Sequence, residues 1–186
     1  MWDTGRTRVY LTVDVECAEE RVKGPAVQPP LGYDLRVWGR LANQREPLGL
    51  PLITRELAAA GLTATFFVEA LGARYFGEDQ LAETCRFLRD AGQDVQLHLH
   101  PVQRRVDWHS RGEQRPSDDM ADYSFEEQTA MLAEGLAMLV RAGVPREALV
   151  GFRAGNFGAS ADTWRVMAAA GLRLSSNFNL CYLDKN

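Results

Sequence analysis

Short apolar runs alternate with longer stretches of helical period along most of this chain. Val9-Tyr10-Leu11-Thr12-Val13-Asp14-Val15-Glu16 and Asp94-Val95-Gln96-Leu97-His98-Leu99-His100-Pro101 both read as strands. Between them, Leu50 to Ala60 places Leu52, Ile53, Leu57 and Ala60 on one side and stops at Gly61, which predicts a helix closed by a glycine. Leu62 to Val68 follows at once as an apolar strand, and a second helix is expected from Glu78 to Ala91, ahead of Gly92. Ser124 with Glu127 forms a capping box for a third helix that runs to about Ala142 and ends at Gly143. Leu149 to Arg153, Ala161 to Ala170 and Leu172 to Ser175 complete the series as strand, helix and strand, with Ser160 as a helix cap.

Repeated strand and helix units joined by right-handed crossovers predict an α/β fold, with a parallel sheet or barrel inside and helices outside. An open doubly wound sheet fits the same pattern. In either architecture ligands collect at the C-terminal strand ends, which here carry Glu16, His100 and Arg153. Two stretches break the alternation. Residues 17–47 hold Pro25, Pro29, Pro30 and three glycines and read as an irregular excursion over the site. Residues 101–123 are polar, with Trp108 and His109 in the middle, and read as a surface insertion.

The polar positions inside the strands carry the chemistry. Asp14 and Glu16 are two residues apart, as are His98 and His100, and alternate side chains of a strand share a face. Two of the chain's three histidines thus stand at strand period at the end of an apolar run, where unpaired polar groups are costly. If the two strand ends meet, two imidazoles and a carboxylate suffice for a divalent metal, with one carboxylate left as a base. Glu16, His98 and His100 as ligands with Asp14 as base is one division of labour, and the reverse assignment of the two acids is the other. Arg153, closing its own strand, is expected to contact a carboxylate or substrate oxygen and is assigned to Asp14.

Composition narrows the setting. A chain of 186 residues with 46% hydrophobic and 25% charged positions is long and apolar enough for one domain, 1–186, with a substantial core. A formal charge of −4 gives no long-range attraction to nucleic acid or anionic lipid. No secretory apolar segment and no apolar run near membrane-spanning length is present, so a protein of the cytoplasm with no membrane span is expected. Cys17, Cys85 and Cys181 are widely spaced and read as reduced thiols, with Cys17 held open as a ligand because it adjoins the acidic pair. Gly151, Gly155 and Gly158 spell no dinucleotide fingerprint, and neither a phosphate loop nor a nucleophilic serine elbow occurs. Phe66, Phe67 and Trp164 are expected in the core, whereas the polar or glycine-rich neighbours of Trp38, Trp108 and Phe157 mark these three as candidate sugar contacts.

Four segments in this order, Leu11-Thr12-Val13-Asp14-Val15-Glu16, Ala64-Thr65-Phe66-Phe67-Val68, Leu97-His98-Leu99-His100-Pro101 and Phe152-Arg153-Ala154-Gly155-Asn156-Phe157, resemble the NodB-type polysaccharide deacetylases of the carbohydrate esterase family 4 superfamily. The likeness is to the subgroup with spaced acidic residues and spans almost the whole chain. It implies a distorted, incomplete (β/α) barrel that hydrolyses N-acyl or O-acyl groups of a sugar or glycan precursor with a divalent metal, often zinc. By the same resemblance Asp14 is the general base, Glu16 the acidic ligand, His98 the first histidine ligand and Arg153 the partner of the base. The family's second histidine falls on Val102, so His100 stands in for it, and the family's late histidine acid has no counterpart after His109. The resemblance therefore implies a C-terminal part that is missing or divergent: either the domain is truncated, or its sheet closes differently, through another subunit for example. A metal-retaining carbohydrate-binding or partner-binding protein and a hydrolase of a small amide are the competing expectations.

Overall fold

The computed structural model describes residues 7–179. Five parallel strands form one sheet: β1 (Thr12–Val15), β4 (Thr65–Glu69), β5 (Asp94–Leu99), β6 (Gly151–Ala154) and β7 (Leu174–Ser175), lying side by side in that order. A separate hairpin of β2 (Arg21–Lys23) and β3 (Ala26–Gln28) and the short helix α1 (Tyr33–Arg36) occupy the stretch expected to be irregular. The remaining helices are α2 (Leu50–Ala59), α3 (Ala73–Phe76), α4 (Glu78–Asp90), α5 (Phe125–Arg141) and α6 (Ala161–Ala169). Residues 101–123 carry two turns of 3₁₀ helix, Pro101–Arg105 and Met120–Asp122. No helix among the described residues is long and apolar enough to cross a membrane.

Strand order follows chain order without reversal, so the sheet winds in one direction only, unlike a doubly wound sheet, whose order reverses at a switch point. It also curls. In a flat sheet β1 and β6 would lie about 14 Å apart, three spacings of about 4.8 Å, beyond the reach of one arginine. Yet Arg153 on β6 donates through Nη1 to Asp14 Oδ1 at 2.5 Å and through Nη2 to Thr12 Oγ1 at 2.9 Å, both on β1. The parallel sheet is therefore bent into an arc of the kind an incomplete barrel requires, with Asp14 and Arg153 on its concave side.

The convex side is apolar and covered by helices. Phe66, Val68, Val95, Leu97, Leu99, Phe152 and Ala154 pack with Leu81, Leu88, Met131, Leu132, Leu139 and Val166 in one buried cluster. Fully burying each large side chain there contributes about 1.5–3 kcal/mol relative to exposure. Gly135 explains how closely α5 approaches: a Cβ at that position would lie 2.7 Å from Leu99 Cδ2 and 3.0 Å from Leu97 Cδ1. Helix ends follow local chemistry. Ser124 Oγ accepts from Glu127 N while the Glu127 carboxylate accepts from Ser124 N, and Ser160 with Thr163 makes the same reciprocal pair.

Two tryptophan expectations are reversed. Trp38, taken for a sugar contact, is 3% exposed and meets Phe87 edge-to-face at 5.2 Å, so it belongs to the core. Trp164, expected in the core, is 52% exposed and donates from Nε1 to Ser175 Oγ at 3.2 Å. The two-residue strand β7 is too short to cover it.

Candidate metal centre

Strand β5 delivers the first two groups. His98 is paired in register with Arg153, and its Nδ1 lies 2.8 Å from the Arg153 carbonyl oxygen. A carbonyl only accepts, so Nδ1 carries a proton, and it is Nε2 that is left to offer a lone pair to a cation. That Nε2 is sealed from solvent and has no hydrogen-bond partner among the described residues; Glu16 Oε2 at 3.6 Å is too distant. Leaving such a buried acceptor unpaired costs about 1–3 kcal/mol, which a cation at Nε2 would remove.

His100 follows the last residue of β5 and packs edge-to-face on His98, ring centroids 4.7 Å apart. Its Nε2 lies 2.8 Å from Glu16 Oε2 and its Nδ1 2.8 Å from Asp118 Oδ2. Burial opposes a charge on this ring, but the hydrogen bonds to Asp118 and Glu16 outweigh it and push the imidazole up to about 10. With a cation at Nε2 that proton would leave, while Nδ1–H would remain on Asp118, the usual carboxylate–histidine support of a metal ligand. Gly155 makes room for the ring: a Cβ there would lie 2.3 Å from His100 Nδ1.

Glu16, just past β1, completes the triad. Each of Glu16, His98 and His100 offers one ligand atom, all within 4.8 Å of one another, a cluster competent to bind a divalent metal. Burial alone would raise the Glu16 pKa, but hydrogen bonding to His100 and the charge of the imidazoles hold it well below the ordinary carboxylate range. Its other oxygen, Oε1, accepts from Arg36 Nη2 at 3.0 Å. Two nitrogens and one oxygen with room for an exogenous group is the donor set of catalytic zinc sites.

Asp14 lies two residues back on the same face of β1, outside the triad. Its partner Arg153 is 7% exposed, and such a buried cation must be compensated from several sides. Besides Asp14 and Thr12, the guanidinium donates to Ser176 Oγ, from Nε at 3.2 Å and Nη2 at 2.7 Å. It also stacks over Phe67 with Cζ 4.2 Å from the ring centroid and stands 5.5 Å from that of Phe157. Phe67, expected in the core, is buried as the floor under Arg153, on the concave side.

Asp118 was not singled out from the sequence, because it lies in a polar insertion with no periodicity. It also contacts Val102 N at 3.4 Å and Asn156 Nδ2 at 3.2 Å. Asn156 and Phe157 both have positive φ, 55° and 57°, unusual for side chains with a Cβ and concentrated at the mouth of the site. Val102 is buried at 2% and supplies no ligand. His109 packs against Trp108, ring centroids 5.5 Å apart, and does not line the cleft of about 330 Å³ beside Glu16 and His100. Cys17 stands outside the ligand cluster, and burial followed by the charge of Glu69 pushes its thiol up to about 12. Cys85 is likewise a buried free thiol, and Cys181 lies outside the described residues.

Comparison with protein-family models and with curated proteins finds no match. Among solved structures, a family 4 carbohydrate esterase from Streptomyces lividans in complex with acetate aligns with 66% of this chain and 52% of its own length, at 20% identity and a TM-score of 0.48.

Proposed function

We propose that this chain is a metal-dependent hydrolase that removes an N-acetyl or O-acetyl group from a sugar or glycan precursor. The observation that carries the reading is the bare, buried Nε2 of His98, oriented by a main-chain carbonyl toward the carboxylate of Glu16 and the ring of His100. Glu16, His98 and His100 would hold the cation, and zinc suits a set of two imidazoles and a carboxylate. A divalent cation so bound supplies Lewis-acid polarisation of an acyl carbonyl and a water of lowered pKa.

The chain's own residues would do the rest. Arg153 grips Oδ1 of Asp14, which leaves Oδ2 to accept the proton of the attacking water. As the acyl bond breaks, the same carboxyl can return that proton to the leaving nitrogen or oxygen. Among the described residues, no third histidine lines the triad's cleft to do this instead. The sequence resemblance to NodB-type deacetylases supports the same roles for Asp14 and Arg153.

Metal-loaded protein should release acetate from at least one member of a panel of N- and O-acetylated sugars, and Asp14→Asn should reduce kcat by roughly 10²–10⁴, the usual contribution of a positioned base. Glycan binding with no acetate release, indifferent to Asp14→Asn, would instead identify a metal-retaining binding protein. That no third histidine lines this cleft among the described residues is what favours that second reading.

A further inference from the structure

A second cleft, of about 460 Å³, adjoins that of the triad, and Glu19, Arg21 and Arg115 line both. The hairpin β2–β3 and Trp108 both line it. Arg21 and Lys23 are two residues apart on β2, and Gln28 on β3 is the register partner of Arg21, so all three project from one face of the hairpin. The carboxylates of this cleft are already engaged. Glu19 accepts from Arg115 Nη2 at 2.5 Å and from Trp108 Nε1 at 3.2 Å. Glu20 is buried and accepts from Ser110 N at 2.9 Å and Ser110 Oγ at 2.6 Å.

Arg21 and Lys23 differ from the other cations here, since no carboxylate pairs with either among the described residues. Two unpaired, adjacent cations therefore face a cleft of ligand size in a chain whose net charge is −4. Trp108 lines the same cleft, and its bond to Glu19 pins the indole. Arg21, lining both clefts, places this charge next to the triad rather than on a remote surface.

We infer that the acylated sugar acted on here bears an anionic group, a phosphate or a carboxylate, which Arg21 and Lys23 receive while Trp108 lies against the sugar ring. The inference rests on the deacylation reading of the triad and adds its substrate class. It is tested with metal-loaded protein and three sugars: N-acetylglucosamine, its phosphate ester, and N-acetylmuramic acid as the carboxylate. Binding of each is measured by calorimetry, and acetate release is followed in parallel.

One anionic sugar should bind roughly 10-fold or more tightly than the neutral one, the scale of two charge-assisted contacts at a solvent-accessible site. The Arg21→Gln, Lys23→Gln double variant should bring it down to the level of the neutral sugar, and added salt should narrow the gap. Which of the two anions gains identifies the group. Equal binding of all three sugars, no binding of any, or a preference that survives in the double variant overturns the inference. Selective binding without acetate release would keep it and remove the deacylation reading, whereas acetate release without charge preference would do the reverse.

Discussion

The two sides of the curved sheet are made by alternate residues of the same strands and obey opposite rules. On the convex side Phe66, Val68, Leu97 and Phe152 are at most 1% exposed and belong to one buried apolar cluster. On the concave side Asp14, Gln96, His98 and Arg153 are polar, and the buried ones are tied into hydrogen bonds that cross three strands. The contrast shows where stability and chemistry are kept. Helix packing carries the first, and the concave side can accept the cost of an unpaired His98 Nε2 because the convex side is so completely buried.

That division can be broken on either side. The largest expected effect is on the concave side: His98→Ala should abolish stoichiometric metal binding by calorimetry while leaving the helical circular dichroism unchanged. On the convex side, Phe66→Ala should cost about 3–5 kcal/mol in denaturant unfolding, with the metal affinity of the folded fraction retained. If the two variants each damaged both properties equally, the separation between the faces would be wrong. A smaller effect sharpens the comparison: Asp118→Asn should weaken metal binding by roughly 10–100-fold, since it removes only the support of His100 Nδ1. An unchanged affinity there would show that the carboxylate serves the insertion rather than the ligand.

Much of the concave side was legible in the sequence because a strand repeats every two residues. Asp14 with Glu16 and His98 with His100 announce a shared face, and the end of an apolar strand announces that Arg153 must find a carboxylate. Asp118 gave no such sign, since its role depends on the path of an aperiodic insertion across the site. The tryptophans show the same limit from the other direction. The polar and glycine neighbours of Trp38 suggested exposure, but a distant partner, Phe87 on α4, buries it. Trp164 has an apolar helical context, yet its neighbour β7 is too short to cover it. Strand and helix positions were readable for the same local reasons, whereas the curl of the sheet became visible only through the span from Arg153 to Asp14.

Arg153 touches both halves of the site through different parts of itself. Its carbonyl orients His98, and its guanidinium holds Asp14. A slip of β6 by one residue against β5 would point the guanidinium at the helices and offer His98 a different carbonyl, so the proposed ligand and the proposed base would be lost together. On the proposed function, misaligned molecules would thereby be inert rather than half-active, and correct strand alignment would be a precondition for the chemistry.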